Sequence, residues 1–259
     1  MVGWITGVVF LAASMQTVGA QVQDSPDVCR SGRRLFAQGQ TIEAIDALWS
    51  CVSREPRNAG AWATLGAAHA SRGDYEGAEK PFRIACELSP SLPDACLYYA
   101  RTLYLLNRFA AALEVLEKAP ATNQTTRVRG LCLEALGRIT DAEKAFLDAI
   151  RMSGAAPGDE DPAIDYGVFL FRQGRPGQAL DPLETAIKRR PENARAHLEL
   201  GAVLLALDRV SEAESQLQRA VALDPRSARA HLLLGKALMR LGRAEAARAH
   251  LDQGSRTVK

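Results

Sequence analysis

The chain has 259 residues, 47% of them apolar, 24% charged and 6% aromatic, with 20 Gly and 12 Pro. This is the make-up of one or two globular domains and excludes a disordered tail or a collagen-like fibre. Its 32 Lys and Arg nearly balance 30 Asp and Glu, for a net charge of +2, so no single-sign field draws it onto a membrane surface, and nucleic acid is not an expected partner.

Residues 1–20 contain no charged side chain, and their apolar run extends from Trp4 to Ala13. A run of that length is too short for the roughly 30 Å hydrocarbon layer. It has the length of a secretory signal, and Val18-Gly19-Ala20 offers a cleavage site before Gln21. The Lys or Arg that usually precedes such a run is absent. The expectation is a cleaved signal and a secreted or periplasmic chain with no remaining membrane span; the alternatives are a membrane-anchored or a cytoplasmic protein.

Beyond the signal a period emerges. Small residues at Gly32, Gly66, Ala100, Gly130, Gly167, Gly201 and Gly235 are spaced by 34, 34, 30, 37, 34 and 34. Twelve residues after each stands Ala44, Ala78, Ala112, Ala142, Ala179, Ala213 or Ala247, and seven further on Cys51, Ala85, Ala119, Ala149, Ala186, Ala220 or Gly254. Between these two sets lies a large apolar residue: Leu48, Phe82, Leu116, Phe146, Leu183, Leu217 or Leu251. The spacing describes paired antiparallel helices whose backbones approach closely at small residues while a large one fills the groove beside them. Seven residues after each first small position come Gly39, Gly73, Asn107, Gly137, Gly174, Asp208 and Gly242, residue types that tolerate the left-handed backbone at which a helix ends. Each repeat therefore reads as a helix A, a tight turn and a helix B, and Pro56, Pro90, Pro191 and Pro225 close four of the units.

The second unit, with Trp62, Leu65, Gly66 and His69 followed by Ala78, Phe82 and Pro90, resembles the tetratricopeptide repeat, with His69 where Tyr is usual. The resemblance covers residues 25–259 and implies an all-α fold, a right-handed α-solenoid of about seven antiparallel helix-hairpin repeats. The expected units are 25–58, 59–92, 93–122, 123–159, 160–193, 194–227 and 228–259. It also implies a concave face, lined mainly by helix A, that holds a partner protein's segment. The join between the third and fourth units is the weakest, because helix B is cut short at Pro120. Asn123-Gln-Thr125 forms an acceptor sequon for glycosylation.

Five cysteines punctuate the chain. Cys29 near the start of one helix and Cys51 near the end of its antiparallel partner could meet across a hairpin, and Cys86 could meet Cys96 in the next helix A. Export would make both pairs disulfides and leave Cys132 free; the alternative is that Cys51 and Cys86 fill small apolar positions as thiols. No metal site is expected, since no Cys-x-x-Cys pair or nearby His completes a tetrahedral set.

No phosphate-cradling glycine loop, nucleophile elbow or His-Glu-x-x-His is present. His197 and His231 stand at the repeat position of Trp62 and read as packed hairpin residues. No catalytic residue and no cofactor are expected. Carried over by register, the groove consists of Arg33, Phe36, Leu97, Arg101, Tyr104, Arg127, Leu131, Ile164, Phe171, Arg172, Leu198, Leu205, Leu232, Lys236 and Arg240. Its apolar residues and arginines suit a protein segment carrying apolar anchors and carboxylates, while the same arginines also read as a solvated face. The Lys/Asn clamp used by relatives that hold chaperone C-termini is missing, because the matching places hold Cys29 and Arg33, Ala63 and Ala67, and Leu97 and Arg101. The expected function is a non-enzymatic scaffold outside the cytoplasm; the alternative is a self-associating structural protein of the cell envelope.

Overall fold

The computed structural model describes residues 27–90, 93–153 and 161–256; the expected signal at 1–20 lies outside them. The described residues form fourteen α-helices and no strand: α1 Asp27–Ala37, α2 Thr41–Arg54, α3 Ala59–Ser71, α4 Tyr75–Leu88, α5 Pro93–Leu105, α6 Phe109–Lys118, α7 Asn123–Ala135, α8 Ile139–Met152, α9 Pro162–Arg172, α10 Pro176–Arg189, α11 Ala194–Ala206, α12 Val210–Leu223, α13 Ala228–Arg240 and α14 Ala244–Arg256. The chain divides into two compact units, one ending at Arg138 and the other beginning at Ile139. Within the first, α1 packs on α2, α3 on α4 and α5 on α6; within the second, α9 packs on α10, α11 on α12 and α13 on α14.

The helices stop where the turn residues require. Gly39, Gly73, Gly137, Gly174 and Gly242 have φ between 72° and 79°, and Asn107 and Asp208 take φ of 58° and 60°. These seven are the positive-φ residues among those described, and each is the one expected from the period. A β-branched residue there would force the left-handed backbone at a cost of about 1–2 kcal/mol.

The small and large positions meet head-on. A Cβ added to Gly32, Gly66, Gly167, Gly201 or Gly235 would come within 2.8 Å of Leu48, Phe82, Leu183, Leu217 or Leu251 respectively. Thus the large residue sits directly over the glycine, where the expectation had placed it beside a contact between small residues. The seven alanines of the second set, from Ala44 to Ala247, are all fully buried. Burying a Leu or Phe in such a seat contributes about 1.5–3 kcal/mol, repeated through the chain.

Helix A starts are capped by side chains. Asn58 and Asn193 accept from Ala61 and Ala196 N–H, Ser227 accepts from Ala230 N–H, and Asp161 accepts from Ala163 N–H. At α7, Thr122 and Thr125 cap each other reciprocally. Helix α6 spans 10 residues where α4 and α12 span 14, in line with the early stop read at Pro120.

Candidate functional site

Four residues before the first small position, helix A of the second, sixth and seventh repeats has a seat filled by a ring that faces the preceding connection. In the second repeat the Trp62 indole N–H donates to the Pro56 carbonyl at 2.9 Å. His197 and His231 hold the same seat, and their Nε2 atoms lie 2.9 and 3.1 Å from the carbonyls of Pro191 and Pro225. Each ring is buried and reaches back six residues. Nδ1 of His197 lies 2.7 Å from the Gln216 carboxamide, and Nδ1 of His231 lies 2.9 Å from Nδ1 of His250. Burial, and then the charge of His231, lowers the pKa of His250. His69 pairs with Asp74 at 2.7 Å. The Gly77 backbone N–H, followed by His69, holds the Asp74 carboxyl below its usual range. All four histidines thus carry architectural bonds, as read for His197 and His231. A signal for the seat was present in Pro56-Arg-Asn-Ala-Gly-Ala-Trp62, Pro191-Glu-Asn-Ala-Arg-Ala-His197 and Pro225-Arg-Ser-Ala-Arg-Ala-His231, where proline, cap and ring recur at fixed offsets.

The cysteines pair as anticipated. Cys29 and Cys51 stand at disulfide distance with Cα atoms 4.9 Å apart, as do Cys86 and Cys96 with Cα atoms 4.6 Å apart. Cys96 occupies in the third repeat the seat that Trp62 holds in the second. Cys132 is a buried thiol whose pKa burial pushes up to about 12, which makes it unreactive at neutral pH.

The groove residues fall into layers. Leu97, Arg127, Leu131, Ile164 and Leu198 are buried and are not available at the surface. For four of them the reason is register: they stand three residues before the first small position, in the row of Cys29 and Leu232. Cys29 bonds to Cys51, and Leu232 lies against Gly254 in its own helix B, so this row faces the hairpin seam. Arg33, Phe36, Arg101, Tyr104, Phe171, Leu205 and Leu232 are half-buried, while Arg172, Lys236 and Arg240 are exposed. Phe36 packs against the cluster that contains Ala67, Ala70, Phe82 and Tyr98, so these alanines of the second repeat are covered. Tyr104 leans on Phe109 with ring centroids 5.4 Å apart.

Sequence reasoning missed how much of the arginine surplus is spent between repeats. In the C-terminal unit Arg195 of α11 bonds to Asp165 of α9, and Arg229 of α13 to Glu199 of α11, with one oxygen at 2.8 Å. Both carboxylates are almost wholly buried. A second row starts at the arginine that follows the turn residue: Arg108 pairs with Glu79 at 2.7 Å, Arg175 with Glu143 at 2.9 Å, and Arg243 with Glu214. The hydrogen bond from Arg175 holds the Glu143 carboxyl below its usual range against the effect of burial. Where Leu180 replaces the acidic acceptor, Arg209 pairs within its own helix start with Glu212. The acid–arginine separation of 29–32 residues was the available clue. On α13, Lys236 and Arg240 point outward beside Met239, which is 52% exposed, and Arg240 donates to the Leu205 carbonyl at 2.9 Å.

Among the described residues no helix is long and apolar enough to cross a membrane. Two family models described as tetratricopeptide repeat match residues 29–93 with 203–255 and residues 170–224. A model described as anaphase-promoting complex, cyclosome, subunit 3 matches residues 71–149. The tetratricopeptide repeat protein 30 homolog of Drosophila melanogaster is 29% identical over 126 residues, which make up 48% of this chain and 19% of that protein. A tetratricopeptide repeat protein from Parabacteroides merdae superposes with a TM-score of 0.69 at 15% identity, over 89% of this chain and 92% of the other. A chain of the APC/C hetero-tetramer Cut9-Hcn1 superposes with a TM-score of 0.67 at 17% identity, over 91% of this chain and 46% of the other. At these identities the likeness is one of fold, an all-α array of helical hairpins.

Proposed function

Because the chain belongs to the tetratricopeptide repeat family, we propose that it is a non-enzymatic interaction scaffold acting outside the cytoplasm. In this reading helix A faces hold a protein segment that carries apolar and acidic residues. The observation that carries it is the composition of α13, which has Arg229, Lys236 and Arg240 and no carboxylate, with half-buried Leu232 and exposed Met239 on the same helix. Arg229 is engaged with Glu199, and Arg240 reaches back to the Leu205 carbonyl and the Asp208 carboxylate, so Lys236 is the cation of α13 left facing outward, beside apolar surface that an anchor side chain can cover. Arg fixes carboxylates by two-pronged bonds and Lys by point charge, while buried apolar anchors supply most of the affinity. In the N-terminal unit the corresponding surface is Arg33, Phe36, Arg101 and Tyr104. Export is supported by the two cystines, since such bonds persist in oxidising compartments.

A photoreactive residue at position 239, compared with one at Asp181 on α10, tests the site. The expected result is a crosslinked partner from the native compartment at 239 and none at 181. Lys236→Glu with Met239→Ala is expected to cut capture at least tenfold with an unchanged circular dichroism spectrum. Equal crosslinking at both positions would move the site off α13. Light scattering separates the rival role, because a monomer at every concentration eliminates self-association.

A further inference from the structure

The two cystines share one polarity. In each, a cysteine in the last turn of a helix B, Cys51 in α2 or Cys86 in α4, joins one in the first turn of a helix A, Cys29 in α1 or Cys96 in α5. Their surroundings differ. Cys29 and Cys51 are 1% and 0% exposed and lie inside the cluster formed with Leu48, Trp62 and Leu65. Cys96 is equally buried, but Cys86 is partly exposed, between exposed Arg83 and exposed Glu87 and Leu88. The first bridge closes a single hairpin. The second ties the helix B of one repeat to the helix A of the next.

Thiol–disulfide exchange requires a thiolate to reach one sulfur along the bond, and access therefore decides which cystine reacts. We propose that Cys86–Cys96 is a thiol–disulfide exchange site for a dithiol reductant, while Cys29–Cys51 is a sealed structural bridge. The incoming thiolate attacks Cys86 Sγ, forming a mixed disulfide and releasing Cys96 as the thiolate. The first turn of α5 suits that leaving group, since the amide end of a helix favours negative charge on sulfur. The second thiol of the reductant then attacks its own sulfur in the mixed disulfide and releases Cys86. Two electrons and two protons pass from the dithiol to the pair, and the reductant leaves as its cyclic disulfide. Cys132 takes no part, its thiol being buried and undissociated. Reduction unties the third repeat from the second at the residue preceding Leu97, on the helix that carries Arg101 and Tyr104. The inference does not depend on the binding role proposed above.

Dithiothreitol titration of the folded, oxidised full chain, with iodoacetamide quenching and peptide mass mapping, tests it. Cys86 and Cys96 are expected to become alkylated at least ten times faster than Cys29 and Cys51, while circular dichroism retains its helical signal. Simultaneous reduction of both pairs, earlier reduction of Cys29–Cys51, reduction only on loss of the helical signal, or four free thiols before any reductant is added would each overturn it. Cys86→Ser with Cys96→Ser serves as the companion variant, in which the fast alkylation phase is expected to vanish and the slow one to persist.

Discussion

The seat before the first small residue is built alike in the two units and fastened differently. In the N-terminal unit it is taken by Trp62, with an indole bond to Pro56, and by Cys96, covalently joined to Cys86. In the C-terminal unit His197 and His231 occupy it with imidazole bonds to Pro191 and Pro225. Connections between successive helices A differ correspondingly. Buried carboxylates receiving Arg195 and Arg229 link them in the C-terminal unit, whereas in the N-terminal unit Phe36 covers the alanines of α3. The lesson is that the fold needs its glycine and alanine contacts at fixed places, while in these four repeats the seat is fastened by chemically different groups. Covalent and aromatic fasteners ignore salt and pH, but ionic and imidazole fasteners do not.

That contrast can be broken by experiment. The largest effect is expected from Cys29→Ser with Cys51→Ser, a loss of about 3 kcal/mol confined to the N-terminal unit and read by hydrogen exchange of α1 to α4 against α9 to α14. Arg195→Met removes the guanidinium from the buried Asp165 carboxylate and is expected to cost the C-terminal unit about 2–3 kcal/mol, measured by urea unfolding. Changing His197 to Leu leaves the Pro191 carbonyl without its donor, for about 1–2 kcal/mol; His197→Trp, which restores an N–H as in the second repeat, is expected to recover most of it. Gly201→Ala places a methyl group 2.6 Å from Leu217 Cγ, and overpacking less the gain in helix propensity leaves about 1 kcal/mol of destabilisation. Ala100 in the third repeat sharpens that comparison, because there the opposing Leu116 is 7% exposed where Leu217 is 0%.

The smallest effect is one of pH. His250 binds its proton less readily in the fold than in the unfolded chain, through burial and its neighbour His231. The unfolded state is therefore protonated first as pH falls. Stability is full above the ordinary histidine pKa of about 6.5 and declines as pH drops through the lower folded value. Lower protection of α14 amides at pH 5.5 than at 7.5, after correction for the pH dependence of intrinsic exchange, abolished by His250→Gln, is the expected outcome. Identical protection at the two pH values would refute it.

Periodicity was enough to read the helical class, the seven left-handed turns and which positions are small or large, because each of these depends on a side chain's size or backbone tolerance at a fixed spacing along one short stretch. The short α6 was legible for the same reason, through Pro120. The binding surface was less so. Ile164 and Leu198 look like groove residues in register but are buried, since the row they occupy turns toward the neighbouring helix. Arg195 and Arg229 look like free cations until the carboxylates thirty residues earlier are brought beside them. Which charges remain for a partner, and which of the two cystines meets solvent, follow from packing between helices distant along the chain. Electrostatic pairing and solvent access are properties of neighbours in space, and spacing along the backbone specifies those neighbours only once the helices have docked.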